Sequence, residues 1–299
     1  MSAAAQSQTV AQAMPQVRQL APEIGAEVTG IDVGAGLDAA SFDLLHRTWL
    51  ERGVLLLRGQ SLDEPGLVAF SRRFGELEAP PAGEKRTRAE GGGAAMPEVW
   101  IISNVLENGQ PIGALGAGEA EWHTDMAYIE RPPTASILYA REVPSAGGDT
   151  YWANMKAAWD ALPDDLRCAI DGRRIKHDTA YTSAGTLRKG AQPVTDPLTC
   201  PGVWHPAVRT HPETGDRTLF LGRRRNAAID GLGLADSDAL MDRLIAFATQ
   251  DRFTYRHAWR PGDLLIWDNR STMHRRDAFD ASSRRVMLRT QIRGTDVPH

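Results

Sequence analysis

The feature that most restricts what this chain can fold into is a histidine and a carboxylate two residues apart. His123 and Asp125 stand in Glu121-Trp122-His123-Thr124-Asp125-Met126, and His274 answers them far downstream in Trp267-Asp268-Asn269-Arg270-Ser271-Thr272-Met273-His274. On a strand, residues i and i+2 point to one face, whereas on a helix they diverge by roughly 200°. The pair therefore calls for extended backbone, and for a topology that returns His274 to its side. Two imidazoles and one carboxylate form the facial triad that holds a divalent metal on three sites and leaves the opposite three open. Open positions imply chemistry rather than scaffolding, although the same donors also suit Zn or Mn.

The residues after His274 extend the pattern. A polar turn is predicted over Arg275 to Asp280, followed by Arg284-Arg285-Val286-Met287-Leu288-Arg289-Thr290-Gln291-Ile292, which alternates as a strand does. Arg285 and Arg289 share parity and are expected to face the same way. A guanidinium fork grips a carboxylate through two parallel hydrogen bonds, so an acidic cosubstrate is implied.

Strands are further predicted at 25–32, over the apolar Val54-Leu55-Leu56-Leu57-Arg58, at 134–142, 149–152, 218–221 and 253–259, and at Leu264–Asp268, taken as the strand that delivers His274. Helices are predicted from Asp38 to Gly53, from Asp63 to Phe74 with Gly75 closing, at 154–161 and 164–170, and at 236–250. Many short strands with helices outside them give a mainly β fold with flanking helices around a double-stranded β-helix, or jelly-roll, core. One domain is expected over 18–299, after a mobile Ala/Gln/Ser-rich leader at 1–17, with lid loops near 80–95 and 113–118.

Other histidines receive structural readings. His46 lies in a helix stripe with Phe42 and Trp49, and His257 shares the parity of Phe253, Tyr255 and Trp259. His211-Pro212-Glu213 is a rival metal pair, but its proline and the following Thr214-Gly215 place it on an exposed hairpin connection. Arg223-Arg224-Arg225 reads as a solvated turn, with a pocket-facing role as the alternative.

A net charge of -4, from 34 basic against 38 acidic residues, argues against nucleic-acid and anionic-membrane partners. Two cysteines, Cys168 and Cys200, are too few for a disulfide framework and fit a reducing cytoplasm. The first residues have neither the basic start nor the apolar run of a signal peptide, and no stretch reaches the roughly 20 apolar residues of a membrane span. Homo-oligomerisation is left open.

With these residues in view, the chain resembles the TauD/TfdA family of Fe(II)- and 2-oxoglutarate-dependent dioxygenases from about Gly25 to Gly294. The likeness is carried by Gly25-Ala26-Glu27-Val28-x-Gly30-x-Asp32, Trp122-His123-Thr124-Asp125, Gly147-Gly148-Asp149-Thr150, and Trp267-Asp268-Asn269-Arg270 with His274, Arg285 and Arg289. The stretches 248–257 and 280–285 look closer to the aryloxyalkanoate (TfdA-like) branch than to the taurine enzymes. The resemblance implies that His123, Asp125 and His274 bind iron and that Thr150 and Arg285 hold the distal carboxylate of 2-oxoglutarate. By the same likeness, Arg289 and the backbone N–H of Met126 reach the prime substrate. It further implies O2 as cosubstrate and hydroxylation of a small organic acid, coupled to decarboxylation of 2-oxoglutarate to succinate and carbon dioxide. Related halogenases have a small residue where Asp125 stands, so Asp125 implies oxygenation. Taurine enzymes carry an Asn four residues before the first iron histidine; Glu119 stands here and would repel a sulfonate if it pointed inward. Glu119 also motivates an alternative, oxidative tailoring of an amino acid whose ammonium it would pair, and a non-catalytic metal- or acid-binding jelly roll is the third reading.

Overall fold

The computed structural model describes residues 14–79 and 96–299. The lid predicted near 80–95 lies outside the described residues, as does most of the predicted leader. The end of that leader is strand: Gln16–Gln19 pairs antiparallel with Ala26–Thr29, so Gln16 and Val17 belong to a sheet.

Two sheets face each other. The larger has eight strands in the order Gln16–Gln19, Ala26–Thr29, Val54–Leu57, Leu264–Asp268, Ala135–Glu142, Val286–Ile292, Trp100–Ser103, Ala114–Leu115. The smaller has four, in the order Thr254–His257, Thr150–Asn154, Thr272–Arg276, Ala120–His123. This is the predicted jelly roll with helices outside it.

The apolar runs follow from this layering. Val54 and Leu56, with Leu265 and Trp267, turn inward to pack on Trp152 between the sheets. Their neighbours Leu55, Leu57, Leu264 and Ile266 turn outward and are covered by Leu45 and Trp49 of the helix Ala39–Arg52 and by Leu67, Val68 and Phe70 of the helix Glu64–Ser71. A strand covered on both faces has no solvent side, hence no polar alternation. Behind the smaller sheet, Ala153 and Met273 meet the helices Met155–Asp160, Asp164–Ile170 and Leu234–Ala248.

The helix boundaries obey their capping chemistry. The Asp38 side chain accepts the Ser41 N–H at 2.7 Å, and Gly53, at φ 68°, closes the first helix in the left-handed region that side chains disfavour. The second helix is shorter than predicted, ending at Ser71 rather than Phe74. Ser71 Oγ bonds Leu67 O and Thr290 Oγ1, both at 2.7 Å, and the chain then turns so that Phe74 packs edge-on against Phe42, Trp49 and Phe70.

Two more expectations are corrected. The strand Leu264–Asp268 does not itself carry His274; the chain reverses over 269–271, and His274 sits inside Thr272–Arg276, where a polar turn was expected to follow it. His211 is buried, at 3 % exposure, rather than on an exposed connection. Its Nε2–H donates to Asp268 Oδ2 at 3.0 Å, while Arg270 grips the same carboxylate at 2.7 and 2.8 Å and reaches Glu213 at 2.5 Å. This buried cluster locks the reversal that delivers His274.

Burial alone would raise the Asp268 pKa, but Arg270 and His211 hold it below the usual carboxylate range. A depressed folded-state pKa gives stability that is present above the unfolded value of about 4 and is lost as pH falls below it. Asp268→Ala removes the two-pronged partner of a buried guanidinium, leaving it only the half-exposed Glu213, and is expected to cost about 3 kcal/mol. Urea unfolding at pH 7 would measure this, and a loss under 1 kcal/mol would remove the cluster's structural role.

Candidate metal and cosubstrate site

His123 ends the edge strand Ala120–His123 and pairs directly with His274 on Thr272–Arg276, so strand register brings the two rings to 4.1 Å between centroids. Asp125 lies beyond the strand end, in a turn rather than on the continuous extended backbone expected for the pair. Thr124 fixes that turn, its N–H on Gly222 O at 3.1 Å and its hydroxyl on Thr272 O at 3.2 Å. Met126 follows at φ 47°, a left-handed conformation of the kind proteins keep at functional sites.

One Asp125 oxygen, Oδ1, lies 3.7 Å from Nε2 of both histidines, and one donor atom from each residue falls within 4.8 Å of the others. The remaining oxygen, Oδ2, accepts Ser136 Oγ–H at 2.7 Å and pairs with Arg289 Nη2 at 2.5 Å. The Nδ1–H of His123 donates to Glu121 O at 2.7 Å, which leaves Nε2 as the ligating lone pair. Burial opposes the charge of Asp125, yet Arg289 and then His274 and His123 hold its pKa well below the usual carboxylate value. Burial, then the neighbouring His123, pushes the His274 pKa well down, so its ring is neutral at pH 7. An ionised carboxylate beside a neutral imidazole is the protonation state a divalent metal requires, and the donor set fits one.

Arg285 is the candidate for the second half of the site. Its guanidinium is buried, at 2 % exposure, and among the described residues no carboxylate pairs with it. Burial, and after it the like charge of Arg276, draws its pKa down to about 9, which leaves it cationic at neutral pH. Thr150 lines the same cavity and is also buried. The Thr150 hydroxyl accepts Trp259 Nε1–H at 2.9 Å, so its own hydrogen is available to donate. An unpaired buried cation is costly unless an anion completes it, and a hydroxyl beside a guanidinium suits a carboxylate.

The other predicted residues take varied positions. Arg289 and Met126 both line the cavity, but the Arg289 guanidinium is engaged by Asp125. Glu119 is exposed and does not line the cavity. His257 bonds Asp263 and Tyr255 in the core, and His46 packs against Trp49. Instead of running free, the segment 113–118 is held by the parallel pairing of Ala114–Leu115 with Trp100–Ser103 and by Arg276, which donates to the carbonyls of Gly116 and Gly118. Sequence reasoning missed Arg276, His177, Asp178 and Arg188 in the cavity wall; Arg223 and Arg225 also line it, the alternative reading of the triple arginine.

A jelly roll whose facing sheets enclose a His-Asp-His group able to hold a metal, with a buried arginine that no carboxylate among the described residues pairs, fits the class of metal-dependent oxygenases that bind an acidic cosubstrate. The chain belongs to the TauD/TfdA family: the family model described as taurine catabolism dioxygenase TauD, TfdA family, matches residues 16–291. It is 34% identical over 275 residues to an (S)-phenoxypropionate/alpha-ketoglutarate-dioxygenase of Sphingobium herbicidovorans, covering 90% of this chain and 92% of that one. An alpha-ketoglutarate-dependent 2,4-dichlorophenoxyacetate dioxygenase of Cupriavidus pinatubonensis is 34% identical over 287 residues, covering 90% and 94%. Among solved structures, a taurine dioxygenase from Burkholderia xenovorans superposes with a TM-score of 0.75 at 33% identity, covering 95% of this chain and 92% of that one.

Proposed function

We propose that this protein is an Fe(II)- and 2-oxoglutarate-dependent dioxygenase that oxidises, most directly by hydroxylation, a small organic acid, with 2-oxoglutarate decarboxylated to succinate and carbon dioxide. The observation that carries the reading is the unpaired Arg285 buried in the same cavity as the His123, Asp125 and His274 donors. Iron, when bound, supplies the activation of dioxygen.

The chain's own part is to bind, orient and exclude water. His123 and His274 each offer a ring nitrogen and Asp125 one charged oxygen. Thr150 and Arg285 hold the far carboxylate of the cosubstrate. Trp100, Ile102, Leu138 and Trp267 give the cavity an apolar wall that limits water.

The cavity favours an acid over an amino acid as prime substrate. Asp125 and Asp178 are its only lining carboxylates among the described residues, and Asp178 already accepts Arg223 at 3.1 Å and Asn226 at 3.2 Å. No carboxylate is left there to receive a substrate ammonium. Anaerobic addition of Fe(II) and 2-oxoglutarate is expected to give a weak visible charge-transfer band, and aerobic turnover with a panel of organic acids is expected to release succinate. A protein without the band, or one whose succinate formation no acid stimulates, would end this reading.

A further inference from the structure

A hydroxyl has one hydrogen to give and two lone pairs to offer, so what Thr150 can do for an anion depends on what else it touches. Among the described residues its side chain makes one hydrogen bond, accepting Trp259 Nε1–H at 2.9 Å. That donation fills a lone pair and leaves the Thr150 hydrogen without an acceptor in the buried wall of the cavity. The contact is not the ordinary satisfaction of a buried indole. Trp49, Trp100, Trp152 and Trp267 are buried as well, and their indole N–H groups have no hydrogen-bond partner among the described residues. Packing in this protein does not by itself bring an acceptor to each tryptophan.

Trp259 is also pinned from both sides. It lies two residues past His257, which faces Thr150 directly across the antiparallel pairing of Thr254–His257 with Thr150–Asn154. A carboxylate only accepts, so the hydrogen between His257 and Asp263 sits on His257 Nε2, which donates to Asp263 Oδ2 at 2.9 Å. The same oxygen accepts the backbone N–H of Arg260 at 2.9 Å, so one carboxylate holds the chain before and after the tryptophan. Arg58 grips that carboxylate in turn, at 2.8 and 3.0 Å. The remaining nitrogen of His257, Nδ1, accepts the Tyr255 hydroxyl at 2.8 Å, and burial pushes the Tyr255 pKa up to about 12, so this donor keeps its proton. With both nitrogens committed, the imidazole stands perpendicular to the Trp259 indole at 4.7 Å between centroids, and Trp152 packs on the indole at 6.4 Å. An indole fixed in this way cannot follow a rotating hydroxyl; it sets the rotation instead.

We infer that Trp259 is a positioning residue for the cosubstrate: by donating to Thr150 it turns the Thr150 hydrogen toward the distal carboxylate of 2-oxoglutarate, so that the hydroxyl donates beside Arg285. With a guanidinium and a hydroxyl both committed as donors, this end of the cavity takes a pure acceptor and disfavours a ligand that ends in a methyl group or an ammonium. The inference rests on the dioxygenase reading and extends it from the residues that touch the cosubstrate to one that acts through Thr150.

Titration calorimetry of the Mn(II)-loaded protein tests it, with 2-oxoglutarate and with 2-oxovalerate, which has a methyl group in place of the distal carboxylate. Trp259→Phe keeps a ring but loses the N–H, and should weaken 2-oxoglutarate binding roughly fivefold, the net worth of one hydrogen bond, while changing 2-oxovalerate binding by under about twofold. In a Thr150→Val background the same substitution should change 2-oxoglutarate binding by under about twofold, because the pair is coupled only through the missing hydroxyl. Equal losses for both ligands, an unchanged 2-oxoglutarate affinity, or a loss that persists in Thr150→Val overturns the assignment. A second measurement needs no tryptophan variant. In the indole N–H region of the NMR spectrum of the Zn(II)-loaded wild type, the signal that moves in Thr150→Val should also move on addition of 2-oxoglutarate and stay in place with 2-oxovalerate, since a hydroxyl that donates to an anion accepts more strongly from its own partner. The same response to both ligands, or none, overturns the assignment too. A wild type that binds 2-oxoglutarate no better than 2-oxovalerate removes the cosubstrate reading as well, whereas a wild type that prefers 2-oxoglutarate and fails any other test removes only the role of Trp259.

Discussion

Asp125→Ala is expected to eliminate acid-stimulated succinate formation and to weaken metal binding by on the order of 100-fold or more, beyond the loss typical of removing an outer partner of a ligand. Two effects add. The metal loses its one anionic ligand among the three, and Arg289, deprived of its partner at 2.5 Å, is left as an uncompensated buried cation beside the site. Asp125→Asn separates them, because it keeps an oxygen near the histidines but removes the charge that balances Arg289. Its metal affinity should fall between those of wild type and alanine variant. Iron content after anaerobic gel filtration, the visible band with 2-oxoglutarate, and succinate release report the three levels, with circular dichroism to show that the sheets persist. Wild-type succinate production by Asp125→Ala would refute the ligand assignment.

Arg285→Ala is expected to weaken 2-oxoglutarate binding by roughly 100-fold, since two charge-assisted hydrogen bonds in a largely dry site are lost together. Its effect on the empty protein should run the other way. Arg285 is buried without an anionic partner among the described residues, so the apoprotein carries the cost of an unpaired charge that a neutral side chain would remove. Arg285→Leu, which also fills the space, should therefore melt no lower than wild type when free of cosubstrate, yet gain none of the stabilisation that 2-oxoglutarate gives the wild type. Thermal melts with and without saturating 2-oxoglutarate and Mn(II) would show this. A variant that melts lower when empty but keeps wild-type cosubstrate affinity would mark Arg285 as a packing residue and remove it from the site.

The two predictions draw on differently legible parts of the chain. His123, Asp125, His274 and Arg285 could be picked out as candidates because each stands in a short motif whose residue types state what a side chain can donate or accept, whereas Thr150 came from the family resemblance. Their setting was less readable. That Asp125 lies in a turn past the strand end, with Met126 at positive φ, depends on the contact of Thr124 with Gly222, far along the chain. Arg276 was placed in a polar turn because its neighbours are charged, yet it ends a strand and donates to carbonyls of the segment preceding His123. His211 was set on the surface because proline and glycine flank it, while its buried partner Asp268 comes from another sheet. Charge patterning in a window cannot reveal a counter-charge brought in from elsewhere.

By itself the sequence determined the local elements and the chemical vocabulary: the Asp38 cap and Gly53 stop of the first helix, the strands buried on both faces, and the donors for a metal and an acid. Those features depend on neighbours within a few residues, through capping, periodicity and side-chain chemistry. Only the tertiary structure decided which charges are spent and which are free. Arg289 pairs with Asp125, Arg223 with Asp178 and Arg270 with Asp268, while Arg285 is buried with no carboxylate partner among the described residues and Glu119 is exposed. Ion pairing in a buried site is set by distance in space and by removal from water, and neither is encoded in spacing along the chain.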